Sequence, residues 1–168
     1  AALTGHLVLS TLHTNDAPSA ITRLLDIGVP SYLIQSTLLG ILAQRLVRTL
    51  CPHCKEKAAV DEAQWNELVS PWRARLPSES YRAVGCLECR MTGYRGRIGI
   101  YEMLVMSPAL RPMVSPDCDL AALRDAGYKG GMKPLRISGA MKVAAGLTTI
   151  AEVAAVAPPI QLDRGKGA

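Results

Sequence analysis

The sequence contains no Phe, and Tyr and Trp together bring its aromatic share to only 4%. That shortage argues against a nucleic-acid-binding zinc module, which stacks bases on aromatic side chains beside clustered Lys and Arg. Clustered charge is missing as well. Nineteen Lys and Arg against fourteen Asp and Glu leave a net charge of +5, but the basic residues are scattered without a dense block. A basic balance suits a phosphate or acidic-surface partner; scatter of this kind equally describes an ordinary solvated surface, and that is the reading adopted. Long apolar runs are absent too. The greasiest stretches, "LVLSTL" and "LLGILA", fall far short of the roughly 18 residues of a membrane span. There is no initiator Met and no signal-like start. The expectation is a soluble, cytoplasmic piece of a longer protein.

What is present is cysteine in pairs. "CPHC" spans Cys51 to Cys54 and "CLEC" spans Cys86 to Cys89, with 31 residues between the pairs. A gap of two residues lets a tight turn aim both sulfurs at one point about 2.3 Å away. Two such turns complete a tetrahedron with no open coordination position, which folds a segment but activates no water. Structural zinc on Cys51, Cys54, Cys86 and Cys89 is therefore expected, with two disulfides or two reduced apolar pairs as the bland alternatives. His53 sits inside its own turn and is badly placed to replace a cysteine. Cys118 stands alone and reads as a small apolar residue. A thiol–disulfide oxidoreductase would want Cys-x-x-Cys at a helix start after a strand; here "CPHC" is expected to follow a helix.

Along the chain, "HLVLSTL" reads as a strand covered on both faces in a parallel sheet. Asn15 or Asp16 then caps a helix with Pro18 in its first turn and Ile21, Leu24 and Leu25 on its buried stripe. Gly28 ends it. Ser31 is expected to cap a longer helix to about Leu50, because Ile34, Leu38, Leu42 and Leu46 repeat at fours. A short helix with Trp65 and Leu68 is predicted over about 62–69, and a strand over about 98–104. Two helices follow, from Asp119 to a stop at Gly127 and from Pro134 to a stop at Gly146. Thr149 and Glu152 form a capping box for a third. His13 falls just past the carboxyl end of the first strand, where open parallel sheets bind ligands. His6 lies at the other end, roughly 20 Å off along such a strand.

These stretches together resemble one family. "LTGHLVLSTLHTNDA", "RLLDIGV", "LLGILAQRLVRTLCPHC", "CLECRMTGYRGRIGIYE" and "AGLTTIAEV" stand in the order found in the ATPases that power type II secretion and type IV pilus assembly. The cysteine pairs are similar to those of the secretion and pilus-extension branch and are lacking in the retraction branch. The resemblance implies an α/β fold: the C-terminal portion of a RecA-like P-loop NTPase domain, with a tetracysteine zinc-binding insert and a helical C-terminal subdomain. The implied boundaries are 1–50 for the ATPase part, 51–97 for the zinc subdomain, 98–157 for the strand and helices, and 158–168 for a disordered tail. It also implies ATP and Mg2+ in the full-length protein, a homo-hexamer, and a place on the cytoplasmic face of the inner membrane against platform proteins, with no nucleic acid. By the same resemblance His13 lies near the γ-phosphate, Arg97 reaches the nucleotide, and His6 serves structure or a subunit contact.

Departures from the family pattern carry equal weight. No G-x-x-x-x-G-K-[ST] occurs; the only "GK" is Gly165-Lys166. The acidic strand end that holds Mg2+ is missing as well. Phosphoryl transfer needs both, so this chain alone is expected neither to bind ATP tightly nor to hydrolyse it. Ile137 and Ser138 stand where the family usually shows an acidic pair, a change expected to weaken a local contact.

Overall fold

A computed structural model describes residues 1–157 and 159. The expected tail, 158–168, lies outside the described residues apart from Pro159. The described chain forms two compact units, each discontinuous in sequence. The first takes Ala1–Ala43 and Glu102–Lys133, and the second takes Gln44–Tyr101 and the described residues from Pro134 to Ala157.

In the first unit, α1 (Pro18–Asp26) starts where Pro18 needs no N–H partner, and Asp16 accepts the Ser19 N–H at 2.9 Å. Ile21 is fully buried, with Leu24 and Leu25 packed beside it. After α1 comes α2 (Ser31–Thr37), which follows Pro30 and carries no side-chain cap. Then α4 (Leu120–Lys129) is capped by Asp119, which accepts the N–H groups of Ala121 and Ala122. This helix runs through Gly127 instead of stopping there. A Cβ on Gly127 would stand 3.0 Å from Leu104 Cδ1 and 3.1 Å from Met132 Cε, so the residue permits close packing and does not break the helix. The core joins Ala17, Ile21 and Ile34 to Leu104, Val114 and Leu123.

The second unit holds β2 (Glu56–Ala58) paired antiparallel with β3 (Ser80–Arg82), the Lys57 position opposite Tyr81. Between them α3 (Glu62–Val69) is capped by Asp61 and buries Trp65, Leu68 and Val69. They pack with α5 (Leu135–Ala144) and α6 (Ile150–Val156) around Val143 and Val153. Thr149 caps α6 by accepting the Glu152 N–H at 3.3 Å, which is half of the predicted capping box; the Glu152 carboxylate accepts from Arg48 instead.

Two long strands pair with each other: β1 (Gly40–Leu50) and β4 (Tyr94–Val105). Backbone bonds near their ends join Met106 to Leu39 and Cys51 to Gly93, so they run antiparallel. This corrects the helix expected to reach Leu50, which ends at Thr37. A repeat at fours is also a multiple of two, and the strand buries Ala43 and Val47 while Leu42 and Leu46 are exposed. The strand expected at "HLVLSTL" is also corrected. Residues 6–14 form no helix or strand, and Leu7 and Leu9 are 75% and 88% exposed. A parallel strand exists only through its neighbours, and among the described residues no strand pairs with this segment.

Candidate metal centre

The last residue of β1, Leu50, delivers Cys51 to a tight turn. The Cys51 carbonyl accepts the N–H groups of Cys54 at 3.3 Å and Lys55 at 3.0 Å. The second turn repeats this arrangement: the Cys86 carbonyl accepts from Cys89 at 3.2 Å and from Met91 at 2.8 Å. Arg90 and Met91 then take left-handed φ of 53° and 61°, a backbone cost that persists only where the surroundings enforce it. The β2–β3 pairing closes the loop and brings the two turns together.

All four ligand atoms lie within 4.8 Å of one another. The Sγ–Sγ separations are 3.9 Å for Cys51–Cys86, 3.8 Å for Cys54–Cys89 and 3.8 Å for Cys86–Cys89. A disulfide would need about 2.05 Å, and all five cysteines are unbridged. A tetrahedron with metal–sulfur bonds of about 2.3 Å has edges of about 3.8 Å. The separations thus fit one ion held by four sulfurs. Backbone N–H groups point at the same sulfurs, from Gly85 to Cys54 at 3.3 Å, from Cys86 to Cys89 at 3.2 Å and from Gly93 to Cys89 at 3.1 Å.

The thiols are pushed apart in acidity. Burial and the neighbouring sulfurs push Cys54 up to about 11, against the pull of the Gly85 N–H. Burial would also raise Cys89, but the N–H groups of Cys86 and Gly93 outweigh it and bring it down to about 6. Four crowded sulfurs ionise together only if a cation shares their charge. His53 is exposed and outside the tetrad. Cys118, whose thiol burial pushes up, packs against the core of the first unit.

The helix expected before "CPHC" is corrected to the strand β1, so what precedes the motif does not exclude a redox pair. No helix begins at Cys51, however, and both pairs share one cluster. The remaining candidate residues lie elsewhere. His13 is exposed, in the first unit, three residues before Asp16; Arg97 is exposed on β4 in the second. His6 is exposed, with Nδ1 3.1 Å from Thr4 Oγ1. Ser138 accepts the Tyr101 N–H at 3.0 Å, so this departure from the family pattern supplies a local bond of its own.

Two clusters escaped the reading of the sequence. Glu102 is only 3% exposed and accepts the Ala17 N–H at 2.8 Å. A carboxylate between Ile100 and Leu104 on the inward face of an alternating strand was the available signal. In the second unit, Arg48 donates to both carboxylate oxygens of Glu152 at 3.0 and 2.5 Å and lies 4.2 Å over the Tyr94 ring. Tyr94 Oη is 3.2 Å from Thr149 Oγ1. This knot ties together three of the stretches that carry the family resemblance.

Fold and site define a mixed helix–strand protein with a four-cysteine cluster able to hold one metal ion. The chain matches the family described as "Type II/IV secretion system protein" over residues 1–155, and it belongs to that family. It is 53% identical to the type IV pilus assembly ATPase TfpB of Acinetobacter baylyi, over 94% of this chain and 27% of the relative. It is 47% identical to type II secretion system protein E of Pseudomonas aeruginosa, over 91% of this chain and 30% of the relative. It is 46% identical to the pilus assembly ATPase PilB of Myxococcus xanthus, over 91% and 27%. The chain thus spans about 30% or less of the length of these relatives.

Proposed function

We propose that the chain is the C-terminal part of a hexameric ATPase whose ATP hydrolysis drives a platform in the inner membrane. The single observation that carries this reading is the likeness over at least 91% of the chain to relatives named type IV pilus assembly ATPase and type II secretion system ATPase. In this reading 1–50 completes a RecA-like domain, 51–97 is the zinc subdomain and 98–157 supplies the strand and helices. The tetracysteine site holds Zn2+ as a structural clip, and ATP and Mg2+ bind in the full-length protein. His13 contacts the γ-phosphate or its attacking water. Arg97 offers a planar fork of donors to the nucleotide. The protein acts from the cytoplasm as a peripheral partner of the platform; no described helix is long and apolar enough to cross a membrane.

The sequence resemblance points to protein secretion across the outer membrane. The relative at 53% identity, against 47% for the secretion protein, favours pilus assembly as the second reading. A disruption strain scored for surface pili and for exported enzymes separates them. Loss of pili alone selects assembly; loss of export alone selects secretion.

The enzymatic reading is tested on two proteins. Full-length protein turns over ATP, and His13→Ala lowers kcat about a hundredfold. The purified 168-residue chain is expected to show no turnover. Turnover by that chain, or an unchanged kcat in the His13→Ala protein, contradicts the assignment.

A further inference from the structure

The histidine segment is fastened immediately after His13 by two carboxylates. Asp16 uses one oxygen for the Ser19 N–H at 2.9 Å and the other for the Arg124 guanidinium at 2.7 Å. Both partners of that ion pair are largely covered, at 22% and 15% side-chain exposure. Buried Glu102, from β4, takes the Ala17 N–H at 2.8 Å. Thr14 Oγ1 closes a local turn on the Asp16 carbonyl at 3.1 Å. The first N–H groups of a helix have no partner within it. Here two of them at the start of α1 are satisfied from side chains, one of which is anchored to α4 through Arg124. His13 stands on the last stretch of chain before this anchor.

We infer that Arg124 and Glu102 are positioning residues that set where the His13 segment is presented to phosphate, acting through Asp16 and Ala17. Neither residue touches the phosphate in this scheme. Burial acts to raise the Asp16 carboxyl, but its bonds to Ser19 and Arg124 outweigh that and hold it below the ordinary range. The Asp16 carboxylate is thus ionised at neutral pH and its two bonds are in place. Because α4 carries Arg124, any displacement of α4 in the full-length protein is passed to the histidine segment through one ion pair. Misplacement of a reacting group by about 1 Å is enough to slow a reaction about a hundredfold.

This inference rests on the proposed role of His13, and the test separates the two. In the full-length protein, ATP turnover is measured for Arg124→Met, Glu102→Gln and Arg124→Lys, each in the His13 and His13→Ala backgrounds, with thermal melting recorded alongside. The expected result is a fall of about tenfold or more in kcat for Arg124→Met with KM for ATP within about twofold. Arg124→Lys restores most of the loss. In the His13→Ala background neither Arg124→Met nor Glu102→Gln lowers kcat further, because the residue they position is gone. Equal losses in both backgrounds, or losses that track the melting temperature alone, overturn the inference while leaving His13 in place. An unchanged kcat for His13→Ala alone overturns the underlying role.

Discussion

Gly93 performs two tasks that a side chain would spoil. Its N–H donates to Cys89 Sγ at 3.1 Å and its carbonyl accepts from Cys51 at 2.9 Å. Its φ is +75°, and a Cβ would stand 2.6 Å from Ala83 Cβ. Gly93→Ala is therefore expected to cost about 1–3 kcal/mol and to weaken metal retention. Competition with a chromophoric chelator reads the second effect directly, and retention equal to the unchanged protein contradicts it. Gly139 is as tight for another reason: a Cβ would meet Val153 Cγ1 at 2.2 Å. Gly139 sat in a stretch read as helix, yet the close approaches of both glycines were invisible in the sequence. A distance between residues 14 positions apart depends on how two helices pack, which no local pattern encodes. The cysteine tetrad was legible because its chemistry is local: spacing alone aims each pair at a common point.

At the level of elements, β1 shows how a periodicity misleads. Leu38, Leu42 and Leu46 satisfy a helical stripe, yet Leu42 and Leu46 fall on the exposed face of a strand, and pairing with β4 decides the matter. The helix start at Asp119 and the Thr149 cap were legible, since both act within their own turn, whereas Ser31, expected as a cap, is the first residue of α2, which follows Pro30 with no side-chain cap. The Arg48–Glu152 knot joins β1 to α6 and gives a pH prediction. The bonds from Arg48 lower the Glu152 carboxyl against the opposing effect of burial. Its stabilisation is fully present above the ordinary glutamate value of about 4.3 and is lost as pH falls through the lower folded value. Glu152→Gln should lower the urea midpoint at neutral pH and flatten its fall between about pH 5 and about pH 3. Both tryptophans, Trp65 and Trp72, belong to the second unit, so their fluorescence reads that transition. An unaltered acid slope would mean that Glu152 is not linked to folding there.

For the whole molecule, family membership was legible from the order of its motifs, while the division into two discontinuous units was not. Each unit is assembled from segments remote in sequence, and each has its own apolar cluster. The four-cysteine cluster lies in the second. Within it, the residues between the cysteine pairs divide again: α3 is anchored by Trp65 and Leu68 to the cluster around Val143 and Val153, whereas β2 and β3 are short, largely uncovered strands. Removing the metal should act on these parts unequally. The sulfurs lose the charge that holds them together, and the turns lose the constraint that sustains left-handed Arg90 and Met91. Amide exchange after chelation should therefore rise by at least about tenfold at 51–58 and 80–93, as expected when a segment opens locally. Protection in α3 should persist with its apolar cluster, and α1 and α4 should exchange as before. Uniform loss of protection in both units would show that the clip supports the entire chain. No change at the two turns would show that the four sulfurs hold no metal that matters to the fold.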